Sequence, residues 1–296
     1  MKFADTNNNQ TSNDVSYLTQ DSFPRSESFQ ELEKLIGLKE VKKTLAEVTA
    51  FSLIQARRDL LQLKAAPTVL HMVFNGNPGT GKTTVARILG NVFNDIGILS
   101  KGHIVEVERA DLVGEYIGHT AQKTKEILRK SIGGIMFVDE AYTLAQGGDK
   151  DFGQEAIATM VKAMEDHRDN IIIILAGYTA EMERFMMSNP GLRSRFPIHI
   201  KFKDYDDAEL FQIALQMYLE RDYELTSRAR WKLKNVLNEF AKSHHPHSGN
   251  ARYVRNLVEK SIRLQALRII DKPILNRKEL VTIEEKDLPE LDSIRI

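Results

Sequence analysis

The chain has 296 residues, 42% of them hydrophobic and 28% charged, which is enough for one large α/β domain and a smaller one. Its 41 basic residues balance 41 acidic ones, so no global field draws it toward nucleic acid or an anionic membrane, and no apolar run reaches the roughly 20 residues of a membrane-spanning helix. The lack of cysteine excludes disulfides and thiolate metal sites, and no apolar signal core stands near the N-terminus, so the expected compartment is the cytoplasm.

Residues 1–28 are rich in Asn, Ser, Thr, Gln and Asp without an apolar period, the composition of a polar tail that cannot offset its own ordering entropy. From Phe29 a helical pattern begins, with Leu38, Val41, Leu45 and Val48 spaced to share one face, and a basic stretch from Arg57 to Lys64 ends it. Short apolar strands then alternate with amphipathic helices. Strands are expected at 69–75, 103–108, 134–139, 171–177 and 198–202, and helices at 83–93, 121–131, 152–167 and 180–187. Continuous runs such as IIIIL at 171–175 suit a sheet covered on both faces, and strands joined through helices run parallel. The expected core is a doubly wound, parallel, five-stranded α/β sheet over 29–204. Beyond it, 206–221, 226–243 and 250–270 read as helices of a smaller α-helical domain, 205–296.

Gly76-Asn77-Pro78-Gly79-Thr80-Gly81-Lys82-Thr83 matches G-x-x-x-x-G-K-[ST] directly after an expected strand and before an expected helix, the context this phosphate-binding loop requires. Its glycines let backbone N–H groups turn inward around phosphates, and the helix that follows adds its positive end. In this reading the loop runs from Gly76 to Thr84, Lys82 meets the β- and γ-phosphates of ATP, and the Thr83 hydroxyl ligates Mg²⁺. The strand at 134–139 ends in Asp139-Glu140, at the sheet edge where ligands gather in open α/β folds. Asp139 is placed to hold the metal through water and Glu140 to activate a water as general base, which favours hydrolysis over transfer to a second substrate.

With both motifs in place, the segments IGLKEVKKTL, GNPGTGKTT, DLVGEYIGHTAQKT, IMFVDEAYTL, ILAGYTAEME and NPGLRSRFPIHI together resemble the AAA+ ATPases of the CbbX/CfxQ branch, over about residues 29 to 270. That branch includes red-type rubisco activases and a stage V sporulation group. The resemblance implies a P-loop sheet followed by a helical lid, and a homo-oligomeric ring, usually of six subunits, with ATP at each interface and an arginine reaching across from the neighbour. Arg193 and Arg195, in LRSRF, lie at that finger position, and Arg195 is preferred. Arg252, in Gly249-Asn250-Ala251-Arg252, is similar to the family's sensor 2, and Ile36-Gly37 to its adenine-pocket segment. The family's frequent sensor 1 asparagine is missing after the fourth strand, where Tyr178 and Thr179 are the candidates to take its place.

Tyr116-Ile117-Gly118 resembles the aromatic-hydrophobic-glycine pore loop of related unfoldases, which grips a peptide by burying apolar area. The expected activity is ATP-driven remodelling of an unidentified protein substrate in spore formation. Rubisco activation is the alternative within the family, and a DNA-directed motor is disfavoured because GEYIGHT is not basic. Three further features read more plainly. His244, His245 and His247 are loop histidines, Arg252, Arg255, Lys260, Arg263 and Arg268 a solvated basic stripe, and Met182, Met186 and Met187 packing residues.

Overall fold

The computed structural model describes residues 26–64, 69–116, 118–147, 152–168, 170–242, 249–272 and 276–290. Residues 1–25 of the expected tail, Ile117, and the three histidines around Pro246 lie outside them. The chain divides into two compact units. One gathers the residues up to Leu35 with Lys39–Asn75 and Lys82–Lys201, the other Ile36–Leu38, Gly76–Gly81 and Phe202–Ile296.

The first unit is built on strands β1 (Met72–Gly76), β2 (Ile104–Val107), β3 (Ile135–Val138), β4 (Ile172–Gly177) and β5 (Ile198–Phe202), ordered β2-β3-β4-β1-β5. The pairs β2/β3, β3/β4 and β4/β1 are parallel, with Val138 opposite Leu175 and Asn75 opposite Gly177. Every residue of β3 and β4 is buried, as their continuous apolar runs require. Because β4 lies between β3 and β1, the segments leaving the carboxyl ends of β1 and β3 emerge on the same sheet edge.

Helix α1 (Glu27–Lys34) is capped by Ser26, whose hydroxyl accepts from the Phe29 N–H at 3.2 Å. Its C-terminal carbonyls, Glu33 and Leu35, accept from the Lys42 ammonium at 2.7 Å each. Helix α2 (Lys39–Leu60) buries Val41, Leu45, Thr49, Ser52 and Leu53. Leu38 is not part of that stripe. It precedes the helix with a left-handed φ of 55° and clusters with the second unit. The sheet is flanked by α3 (Lys82–Asp95), the short α4 (Arg109–Leu112), α5 (His119–Ser131), α6 (Gly153–Asp166), α7 (Thr179–Ser188) and α8 (Pro190–Arg195). Helix α3 buries the expected face of Val85, Ile88, Leu89 and Val92. Met182 and Met186 pack as expected, whereas Met187, at 73% exposure, faces solvent.

The second unit holds α9 (Asp207–Leu219), α10 (Ser227–Lys242), α11 (Asn250–Ile269) and α12 (Arg277–Val281) around Leu210, Tyr218, Leu233, Leu237, Val254 and Leu257. Asp206 and Glu209 close a reciprocal capping box on α9. Rings of Phe240 and Tyr253 stack at 3.8 Å. The unit is not purely helical, since β6 (Glu224–Leu225) pairs in parallel with β7 (Thr282–Ile283). Arg268 also departs from the solvated stripe. Its side chain is 13% exposed, forks onto Asp287 at 2.7 and 2.8 Å, and pairs with Glu284 at 2.9 Å. Breaking such a buried pair by removing one partner costs roughly 3–5 kcal/mol. Among the described residues no helix is long and apolar enough to cross a membrane.

Candidate active site

The glycine-rich loop after β1 is shaped by close backbone approach within the second unit. Gly79 and Gly81 adopt φ of +72° and +96°, a region L side chains rarely enter. A Cβ on Gly79 would stand 2.2 Å from the carbonyl oxygen of Gly249 and 2.8 Å from the Arg252 nitrogen, so only glycine fits there. The Thr80 hydroxyl donates to the Asn77 carbonyl at 2.8 Å, the Ala251 N–H donates to the Gly79 carbonyl at 3.1 Å, and the Tyr205 hydroxyl donates to the Thr80 carbonyl at 3.2 Å. Burial, reinforced by the Glu209 charge, pushes the Tyr205 hydroxyl up to about 12, so it remains a donor at neutral pH. Gly37, after Ile36, lies against Glu209, and Leu38 approaches Gly81. Arg252 follows in the first turn of α11 with its side chain exposed.

Lys82 opens α3, with Thr83 and Thr84 behind it, and no acidic residue occupies that first turn. The helix therefore presents the uncompensated positive end of its dipole. After β3, the Asp139 N–H donates to the Val107 carbonyl at 2.9 Å, and the Asp139 carboxylate accepts from the Glu140 N–H at 3.0 Å. Glu140 has φ 45° and ψ 44°. A left-handed non-glycine residue costs on the order of 1–3 kcal/mol and persists where its surroundings hold it. Thr143 holds it here, donating to the Glu140 carbonyl from both its N–H (2.8 Å) and its hydroxyl (2.7 Å). Arg109 in turn donates to the Thr143 carbonyl at 2.6 Å. The exposed Glu140 side chain is thereby presented on a fixed turn. Asp139, Glu140, Arg109, Lys123 and Thr143 contribute to a cavity of about 520 Å³.

Neither Arg109 nor Thr143 stands out in the sequence. Thr143 sits at the i+3 spacing of a side-chain-stabilised turn after Glu140, but the contact to Arg109 spans 34 residues and no local pattern announces it.

At the end of β4, Tyr178 and Thr179 are partly buried, and the Tyr178 ring lies 6.1 Å from that of Tyr142. Burial, then Glu140 and Tyr178, raise the Tyr142 hydroxyl to about 12. In α8, Arg195 pairs with Glu165 and donates to the Gly191 carbonyl at 3.2 Å, while Arg193 is exposed. Tyr116 is 67% exposed, and among the described rings it meets the edge of His119, 5.5 Å away. Its loop is rooted firmly, because the Thr120 hydroxyl accepts from the Gly114 N–H at 2.9 Å and the Thr124 hydroxyl donates to the Leu112 carbonyl at 3.0 Å. Gly118 ends it with a φ of +84°.

The residues fit a nucleotide and its cation. Gly79 and Gly81 stand at left-handed φ with no side chain of their own, and α3 begins at Lys82 with a helix N-terminus, both features that suit phosphate. A hydroxyl and a carboxylate are the sparse protein donor set of Mg²⁺ that shares its ligands with phosphates and water.

Residues 72–204 match the ATPase family associated with various cellular activities (AAA), and residues 206–294 match the AAA lid domain. Stage V sporulation protein K of Bacillus subtilis (strain 168) is 51% identical over 260 residues, covering 88% of this chain and 81% of that protein. Protein CbbX of Cereibacter sphaeroides is 44% identical over 266 residues, covering 88% and 85%. The chain belongs to the CbbX/CfxQ branch of the AAA ATPases.

This AAA ATPase therefore binds nucleotide and hydrolyses ATP. The fold agrees, since the crystal structure of the FIGL-1 AAA domain in complex with ADP superposes with a TM-score of 0.60 at 14% identity, covering 86% of this chain and 80% of that one.

Proposed function

We propose that the chain is one subunit of a hexameric ring that uses ATP hydrolysis to pull on a protein substrate during spore formation. In this reading residues 29–204 form the nucleotide-binding domain behind a polar tail (1–28), and 205–296 form its lid. The run from Gly76 to Thr84 cradles the phosphates, Lys82 neutralises the β- and γ-oxygens, and Ile36 with Gly37 contacts adenine. Thr83 and Asp139 hold Mg²⁺, which supplies charge neutralisation across the phosphates when bound. Glu140, fixed by Thr143, takes the proton of the attacking water, and a hydroxyl of Tyr178 or Thr179 orients that water. Arg252 reads the phosphates of its own subunit. Arg195 or Arg193 of a neighbouring copy stabilises charge on the transferring group, an effect worth about 10³–10⁵ in rate where measured.

The observation that carries the remodelling reading is the exposure of Tyr116 on a loop whose base is tied to α4, the helix from which Arg109 reaches the Glu140 turn. An exposed aromatic on a braced loop grips extended polypeptide without reading its sequence, and its root leads to the hydrolytic carboxylate. The spore-forming role draws on the 51% identity with stage V sporulation protein K. Rubisco activation is the alternative, drawn from the 44% identity with CbbX. A host that sporulates and lacks rubisco separates the two.

The test is Glu140→Gln, which keeps ATP bound and unhydrolysed, so that a protein substrate co-purifies with the assembly. Turnover near wild type would remove Glu140 as the base. Stimulation of the wild-type ATPase by DNA, with none by protein, would remove the remodelling reading.

A further inference from the structure

We propose that Asn250 is a positioning residue that latches the phosphate loop to the first turn of α11. The proposal rests on the reading of Gly76–Thr84 as the phosphate cradle. Asn250 is 2% exposed and carries a left-handed φ of 43° at the first position of its helix. Asparagine enters this region more readily than most residues, yet the conformation still costs energy and needs surroundings that hold it. Those surroundings are the loop itself.

The Tyr205 N–H donates to Asn250 Oδ1 at 3.0 Å, and because an N–H can only donate, this bond fixes which end of the amide is oxygen. The opposite end, Nδ2, then donates to Asp204 Oδ1 at 2.8 Å, with a longer contact of 3.4 Å to the Pro78 carbonyl. Asp204 is exposed, and both its oxygens accept from Asn77 Nδ2 at 3.0 Å. One residue on, the Ala251 N–H donates to the Gly79 carbonyl at 3.1 Å. Three successive loop residues, Asn77, Pro78 and Gly79, are thus gripped by Asp204, Asn250 and Ala251. Arg252 follows immediately. Any change in the curvature of the loop is transmitted to the turn that bears this arginine, and the reverse holds as strictly, because coupling is reciprocal.

A bond set that only stabilised the fold would leave nucleotide affinity unchanged in molecules that remain folded. Asn250→Asp has nearly the same shape but sets a second carboxylate against Asp204 and an oxygen against the Pro78 carbonyl. Measured well below its melting temperature with a fluorescent ADP, the full-length variant is expected to bind about tenfold more weakly, the scale of one lost hydrogen bond to a charged group. KM for ATP should rise by a similar factor, and kcat should fall less.

Adding Asp204→Asn restores an amide–carboxylate pair in the opposite sense, and most of the affinity should return. Affinity within twofold of wild type in Asn250→Asp, or no recovery in the double variant, overturns the latch. If Asn250→Asp does not fold, Asn77→Ala tests the same clamp from the other side, and unchanged ADP affinity there overturns it too. Lys82→Ala separates the two layers of the argument. Retained binding in that variant sinks the cradle reading, whereas abolished binding alongside unaffected Asn250→Asp and Asn77→Ala sinks the latch alone.

Discussion

The ring of Tyr142 fills the space that a side chain on Gly177 would need, since a Cβ there would lie 2.8 Å from Tyr142 Cδ1 and 2.9 Å from the Met182 sulfur. The end of β4 and the turn after Glu140 are therefore packed directly on one another. Gly177→Ala overfills this contact and should cost about 1–3 kcal/mol. Because Tyr142 lies two residues from Glu140, the same change should slow ATP turnover. Melting curves of the two single variants and the double variant Gly177→Ala/Tyr142→Ala check this, since removing the ring makes room for the methyl. The cost of Gly177→Ala should shrink by at least about 0.5 kcal/mol in the Tyr142→Ala background. Strict additivity would show that the two residues do not share the space.

To act as the proposed finger Arg195 would have to leave Glu165, whereas Arg193 is exposed and has no such ion pair among the described residues. Exchange of the Glu165 carboxylate for a phosphate is feasible because the pair is partly solvated, and exposed pairs are worth only about 0–1 kcal/mol. Arg195→Ala should keep ATP binding and lose turnover by on the order of 10³. Mixed with Lys82→Ala subunits, it should regain part of the activity, because in the proposed ring some interfaces would then combine an intact site with an intact finger. Glu165→Ala, which removes the carboxylate partner and leaves the bond to the Gly191 carbonyl, should leave turnover equal or higher. A loss that follows Arg193→Ala, with Arg195→Ala active, transfers the finger to Arg193.

Much of this arrangement is legible in the sequence because its causes are local. The run at 171–175 is buried throughout, and the face of Val85, Ile88, Leu89 and Val92 packs as its period demands. The proposed phosphate loop and the Asp139-Glu140 pair are each a contiguous run, so both can be picked out without knowing the fold. What escapes is nonlocal or too short to have a period. Leu38 fits the helical spacing but stands at φ 55° outside the helix, because periodicity does not register a turn. Strands β6 and β7 have two residues each. Arg268 belongs to a basic stripe until Asp287, 19 positions later, is seen to hold it. Asn250 sits inside a motif read for its arginine, and it is the φ of 43° and the contacts to Tyr205, Asp204 and Pro78 that single it out.

Under the proposed function, Tyr116 would separate force from hydrolysis. Its side chain is largely exposed, so Tyr116→Ala should leave the melting temperature within about 2 °C, as surface substitutions usually change stability by no more than about 0.5 kcal/mol. Basal ATP turnover should be retained while stimulation by a protein substrate and its remodelling are lost. Tyr116→Phe should keep both, because the grip is apolar area rather than the hydroxyl. Full remodelling by Tyr116→Ala would assign the loop another task.

His71 sets an acid limit on the fold. It is 4% exposed at the entry to β1, its Nδ1 accepts from the Ile173 N–H at 3.0 Å, and its ring meets Phe196 at 5.8 Å. Accepting at Nδ1 requires the neutral imidazole with its proton on Nε2. Burial pushes its pKa down from 6.5 to about 4. Between these values the unfolded chain binds a proton that the folded chain refuses, so stability rises with pH across the window and is lost as pH falls from 6.5 toward 4. The full shift corresponds to roughly 3 kcal/mol, an upper figure for a single group. His71→Gln keeps an acceptor for the Ile173 N–H and does not titrate. Its melting temperature should therefore fall less steeply than that of the wild type from pH 7 to pH 4.5, although it starts lower because the ring packing is lost. Parallel curves for the two proteins would show that the proton is taken up elsewhere.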